Sequence, residues 1–236
     1  MGFASEPHGL VTACRRIVER QPSSGAIVWL AARALCADNP RSELSLAVTE
    51  IELDQTPKAL AYELPDDATV VVLGQPQRIA EALFARGDIA VRVVDVLGEG
   101  RDFAYELMEA GVDVEEVRPE GIATAVVDAD LVLIEASAAG TTMGMAVTGS
   151  HSAAAVAHHA GVPVWMVAGV GTFLPEKMWL GLAGRCDQRD EPWDRDDDEF
   201  PLDLVSDVVG PKGRVDMATA LRSVDCPVAP ELFGTS

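Results

Sequence analysis

The 236-residue chain sets 38 acidic against 18 basic residues, a formal net charge of -20, with three lysines, Lys58, Lys177 and Lys212. With no basic stripe to release counterions from a phosphate backbone, direct nucleic-acid binding is not expected. Length and a 48% apolar content suit a soluble globular chain of one sizeable domain with a short accessory layer, and no run approaches the ~18 apolar residues of a membrane span.

The acidic excess reads as a solvated surface, or as one adapted to a salty cytoplasm where screening shortens repulsion between carboxylates. Cys14, Cys36, Cys186 and Cys226 are widely separated and show neither a disulfide framework nor zinc-ribbon spacing. The stretch Met1–Leu10 has no basic segment followed by an apolar one, so a cytoplasmic protein is expected, and the motifs below lead to the expectation of no metal and no cofactor.

The chain opens on helices. Leu10, Cys14, Ile17 and Val18 share one face at helical spacing, and Gln21-Pro22-Ser23-Ser24-Gly25 ends that segment. Ala26 to Ala37 places Ile27, Leu30, Ala31, Ala34 and Leu35 on a second apolar face, closed by Asn39-Pro40, and Ser42 to Glu52 continues as helix. Residues 1–64 therefore form a helical region and 65–236 a second domain.

From Asp66 short β-branched runs alternate with amphipathic helices. Thr69–Leu73 precedes the helix Pro76–Ala85, Ala90–Val96 precedes Arg101–Ala110, and Val112–Val117 precedes Ile122–Ala129. Leu131–Glu135 leads through a glycine-rich loop, Ala136–Gly149, into a helix from Ser150, and Val162–Val167 follows. Continuous apolar strands alternating with helices predict an α/β fold built on a mostly parallel sheet covered on both faces. Ligands of such sheets lie beyond the carboxyl ends of the strands, which nominates the loops Gly74-Gln75-Pro76, Leu97–Gly100 and Ala136–Gly149.

Known motifs fit poorly. Gly98-Glu99-Gly100 and Gly169-Val170-Gly171 each lack the third glycine of a dinucleotide fingerprint. Gly144 and Gly149 have Walker spacing, but Ser150 stands where lysine would reach the phosphates. Gly149 and Ser150 then read in two ways: a tight turn and N-cap, or backbone N–H groups at a helix start that favour an anion. His151 in the first turn is a candidate phosphate donor or acid–base group. His151 and His158, two turns and about 10 Å apart, cannot share a metal. The acidic run Asp187–Phe200 alternates Asp194, Asp196 and Asp198 like a calcium loop, but places Glu199 where glycine is needed and Val205 follows where a bidentate glutamate would be, so it reads as a solvated loop. No serine nucleophile elbow is present.

Three segments carry a resemblance: Ala129–Ser137, Thr148–Ala157 and His159–Trp165, with Phe200–Val205 through Gly210–Gly213 closing the pattern. From Asp66 onward the chain resembles the superfamily shared by the alpha, beta and delta subunits of translation initiation factor 2B and the aldose-phosphate isomerases that act on methylthioribose-1-phosphate and ribose-1,5-bisphosphate. The resemblance implies a Rossmann-like sheet of the CoA transferase-like type, a homodimer, and a phosphorylated sugar or nucleotide as ligand. The isomerases' catalytic cysteine and aspartate are matched here by Pro76 and Ser137, which supply no acid–base pair. The resemblance therefore implies a non-catalytic or regulatory member. The alternative is an isomerase with relocated groups, Glu135 and His151 as acid–base candidates. Ligand contacts are expected from Gln75, Arg101, Ser137, Thr141, Thr142, Thr148, Gly149, Ser150 and His151.

Overall fold

The structure, a computed structural model, describes residues 7–187 and 191–234. The start of the Met1–Leu10 stretch, residues 188–190 of the acidic run and residues 235–236 lie outside the described residues. Four helices come first: α1 (Pro7–Arg20), α2 (Gly25–Cys36), α3 (Pro40–Glu52) and α4 (Thr56–Glu63). Ser24 Oγ accepts from Ile27 N to start α2, and Asn39 accepts from Ser42 N to start α3 with Pro40 in its first turn.

The alternating part comprises β1 (Thr69–Leu73), α5 (Gln77–Phe84), β2 (Ala90–Val94), α6 (Gly100–Glu109), β3 (Asp113–Val117), α7 (Ile122–Val127), β4 (Leu131–Ala139), β5 (Met143–Val147), α8 (Ser150–Ala160) and β6 (Val164–Val167). Then come α9 (Glu176–Cys186), β7 (Asp197–Pro201), β8 (Asp207–Gly210), β9 (Gly213–Val215) and α10 (Met217–Arg222). The main path of the sheet runs β3-β2-β1-β4-β6-β8-β9, parallel except for β8 with β9, and β5 joins β4 to β7 by antiparallel pairing. This is the mostly parallel α/β sheet behind helices that the periodicity predicts.

Strand period decides which residues meet which helices. Val71, Leu73, Val132 and Ile134 pack with Ala153, Ala154 and Ala157 of α8, while Val70, Val72, Leu131 and Leu133 pack with Leu60 of α4, Ile79 of α5 and Phe103 of α6. A third core joins Val28 and Trp29 of α2 to Ala138, Met145 and Met178. Thus α4, although within residues 1–64, packs on the sheet.

Several expectations change. Ala31 and Ala34 of α2 are buried as expected, but Val28, Trp29 and Ala32 join them there while Ile27, Leu30 and Leu35 are half-buried, and Ile17 of α1 is exposed. The stretch from Ala136 to Gly149 is no loop: β4 runs on to Ala139 and returns as β5, with Gly140 N donating to Met143 O at 2.8 Å. Its small residues disguise it, and the structure shows why they are small. A Cβ on Gly140 would lie 2.5 Å from Trp179 Cγ, and one on Gly144 2.7 Å from Phe200 Cζ. The acidic run likewise ends in a strand, β7, where Asp198 pairs with Ala146 and Asp197 with Val147.

Candidate functional site

The strand order reverses between β1 and β4: α5 leads outward from β1 to β2 and β3, and the chain then returns to β4 on the other side of β1. At the carboxyl ends of these two strands lies a cavity of about 440 Å³, lined by Leu73, Leu133 and Ile134 and by polar groups from seven parts of the chain. It coincides with the crevice that an open α/β sheet leaves beside its switch point.

Arg78, the second residue of α5, lines the cavity and organises it. Its Nε donates to Asp54 Oδ2 at 2.9 Å and its Nη1 to Glu135 Oε1 at 3.2 Å. Pro76, ahead of α5, supplies no side-chain cap. Glu135 supplies it from β4 instead, its Oε2 accepting from Arg78 N at 2.8 Å and Ile79 N at 3.2 Å, and its negative charge suits a helix start. Burial pushes the Glu135 carboxyl above its ordinary range, against the opposing charge of Arg78 and those backbone donors. For Asp54 burial also acts upward, but hydrogen bonds from Thr56 Oγ1 and N, from Arg78 and from Val170 N outweigh it and hold the carboxyl below the usual range. Gly169 makes room for this bridge, since a Cβ there would overlap Arg78 Nε and Asp54 Oδ2.

The start of α8 is built by the acidic strand. Gly149 adopts a left-handed conformation, φ 87°, and its N–H donates to Asp198 Oδ2 at 2.7 Å. Thr148 Oγ1 donates to Asp198 Oδ1 at 3.4 Å, and Thr148 N to Asp196 O at 2.8 Å. Asp198 thus fixes the turn that leads into α8 by accepting from the two residues ahead of it. Ser150 follows, fully buried and lining the cavity, and its Oγ has no partner among the described residues.

The cavity brings together Gln75, Glu135, Ser137 and Ser150 of the expected residues. Ser137 lies at the irregularity where β4 shifts register against β5, and its Oγ donates to Met145 O at 3.2 Å. Gln75 Nε2 donates to Glu106 Oε2 at 3.4 Å. The others lie elsewhere. Arg101, in the first turn of α6, is exposed and pairs with Glu116 of β3 at 3.3 Å. Thr141 and Thr142 are exposed at the tip of the β4–β5 hairpin, where Thr141 Oγ1 donates to Glu176. Thr148 and Gly149 are engaged by Asp198, and His151 is exposed and outside the cavity wall. His158 is exposed as well.

Arg78, Asp54 and Asp197 were missed by sequence reasoning. One signal for Arg78 existed: a cation in the first turn of a helix opposes the helix dipole, which asks for a carboxylate nearby. Among the described residues no cluster of three or more histidine, cysteine, aspartate or glutamate side chains is placed to hold a metal ion, and no helix is long and apolar enough to cross a membrane.

The profile of the Initiation factor 2 subunit family matches residues 39–181, over half of the chain. No curated protein sequence matches it. Among solved structures, the translation initiation factor eIF-2B of Pyrococcus horikoshii OT3 is similar with a TM-score of 0.77 at 15% identity, over 91% of this chain and 84% of that one. The eIF2B beta structure from Chaetomium thermophilum gives 0.67 at 18% identity, over 96% and 78%. A chain of the tetrameric eIF2B-beta2-delta2 complex from C. thermophilum gives 0.70 at 19%, over 90% and 77%. At these identities the structural likeness speaks for the fold.

Proposed function

The chain belongs to the initiation factor 2 subunit family, and from that premise we propose that it is a non-catalytic, regulatory relative that self-associates in the cytoplasm and holds a small polyhydroxylated metabolite between β1 and β4. One observation carries the non-catalytic reading. The Ser137 hydroxyl is spent on Met145 O, and the resemblance matches Ser137 and Pro76 to the isomerases' acid–base pair, which neither residue can replace.

The resemblance taken alone would make the metabolite a phosphorylated sugar or nucleotide. Hydroxyls and amides on the wall, from Ser24, Ser137, Ser150, Thr172, Gln75 and Gln77, support its sugar-like part. The phosphate has less support, because Asp198 takes the Gly149 N–H and Arg101 is paired outside the cavity. Self-association is supported by the family and by the oligomeric complex among the similar structures.

An isomerase with relocated groups is the second reading, favoured by the buried Glu135 carboxyl with its raised pKa. Against it, Glu135 accepts from two backbone N–H groups and a guanidinium, and His151 lies off the cavity wall. The test is to incubate the protein with ribose 5-phosphate and ribose 1,5-bisphosphate and follow the carbon-bound protons by NMR. No exchange or isomerisation is expected; turnover that Glu135→Gln abolishes would establish the enzyme instead. Light scattering after size exclusion should return a dimer or larger, and a monomer at all concentrations would remove the self-association.

A further inference from the structure

The cavity holds an unbalanced charge. Among the described residues that line it, Arg78 is the one cation, and it already serves two carboxylates, Asp54 at 2.9 Å and Glu135 at 3.2 Å. Glu99 and Asp197 line the same cavity and form no ion pair among the described residues. Asp197 stands between Asp196 and Asp198 in sequence, and of the three it is the one that lines this cavity. A phosphate entering here would meet like charge, and the Gly149 N–H just ahead of α8 is already taken by Asp198.

A second, independent feature calls for a ligand. Ser150 Oγ is buried, has no partner among the described residues and belongs to a residue lining the cavity. Buried hydroxyls in folded proteins have hydrogen-bond partners, and an orphan facing a polar cavity is completed by whatever fills it. Hydroxyl and amide groups of Ser24, Ser137, Thr172, Gln75 and Gln77 line the same cavity and suit the hydroxyls of a sugar.

We propose that this cavity recognises an amine-bearing polyol, a molecule of amino-sugar type that carries a protonated amine and no phosphate, with the amine answering Asp197 and a ring hydroxyl completing Ser150. The assignment rests on the reading of the cavity as a metabolite site and changes the charge class that the resemblance implies. Burial raises the Asp197 carboxyl above its ordinary range; a hydrogen bond from Ser23 opposes this, and the neighbouring Asp196 and Asp198 add to it. An ammonium group beside Asp197 would reverse that upward shift. Glu99, the exposed residue ahead of α6, also lines the cavity and adds to the preference for a cation.

The experiment is a thermal-shift titration of the intact chain at low salt with glucosamine, glucose, glucosamine 6-phosphate and ribose 5-phosphate as probes. Glucosamine should raise the melting temperature most, with an affinity about tenfold tighter than glucose and tighter than either phosphate. Asp197→Asn should abolish the advantage of glucosamine over glucose. Ser150→Ala should weaken both sugars while leaving the unliganded melting temperature unchanged or higher, because it deletes an unpartnered buried hydroxyl. A phosphate ester binding more tightly than glucosamine would overturn the charge assignment and leave the metabolite site standing. No shift with any probe would overturn both, and an amine preference that survives Asp197→Asn would remove Asp197 from it.

Discussion

Replacing Arg78 with methionine keeps most of the apolar stem of the side chain and deletes the guanidinium that joins α5 to both Asp54 and Glu135. The side chains of Arg78, Asp54 and Glu135 are 23%, 7% and 14% exposed, so both carboxylates would be left in poorly solvated positions. Breaking a buried ion pair by removing one partner costs about 3–5 kcal/mol. Here the lower end applies, since Asp54 keeps Thr56 N, Thr56 Oγ1 and Val170 N as donors and Glu135 keeps two backbone donors from α5. A loss of about 3 kcal/mol at pH 7 is expected, roughly 6–12 °C in melting temperature for a chain of this size.

The pH dependence supplies the decisive check. Arg78 lowers the pKa of both carboxyls, so its removal raises both folded-state values. In the wild type the depressed Asp54 contributes stability that is present above its unfolded pKa and is lost as pH falls through the folded value. In the variant a raised carboxyl weakens the fold as pH rises through its folded pKa and ceases to do so below the unfolded value, about 4. The deficit of Arg78→Met should therefore be largest near neutrality and shrink on acidification toward pH 4. Urea unfolding at pH 7 and pH 4.5, with Asp54→Asn in the same background, measures it. A deficit under about 1 kcal/mol at pH 7, or one equal at the two pH values, would refute this account of the bridge.

Gly169→Ala should cost about 1–3 kcal/mol by driving a methyl group into the bridge, and its effect should fall well short of additive with Arg78→Met in urea melts. Asp198→Ala should destabilise the chain by about 1–2 kcal/mol and speed hydrogen exchange at the Gly149 amide, with Asp198→Asn recovering part of the loss. His151→Ala should change stability by less than about 0.5 kcal/mol and leave ligand-induced thermal shifts intact, since the side chain is exposed and off the cavity wall.

What could be read from the residues in order was whatever local periodicity encodes. Thr69–Leu73, Ala90–Val94 and Val164–Val167 are dense in β-branched and apolar residues, and the segments between them carry a 3.6-residue apolar period, so a parallel sheet with helices on both faces follows. The loop Gly74-Gln75-Pro76 beyond the end of β1 followed too, and with it Gln75 on the cavity wall; Glu135, Ser137 and Ser150 line the same wall from β4 and α8, since Ala136–Gly149 is a hairpin and no loop. Tertiary structure alone decided the rest. The segment 137–147 is a hairpin in which small residues let Trp179 and Phe200 lie against it, and Asp197–Pro201 is a strand because β5 offers it an edge; Ala and Gly in the first and Asp and Glu in the second keep their β propensity low. The bridge at Arg78 spans 24 residues to Asp54 and 57 to Glu135. Such partners are set by which chain ends the fold brings to one edge of the sheet, and a carboxylate carries no local mark of whether it will face water, cap a distant helix or stand at the rim of a cavity.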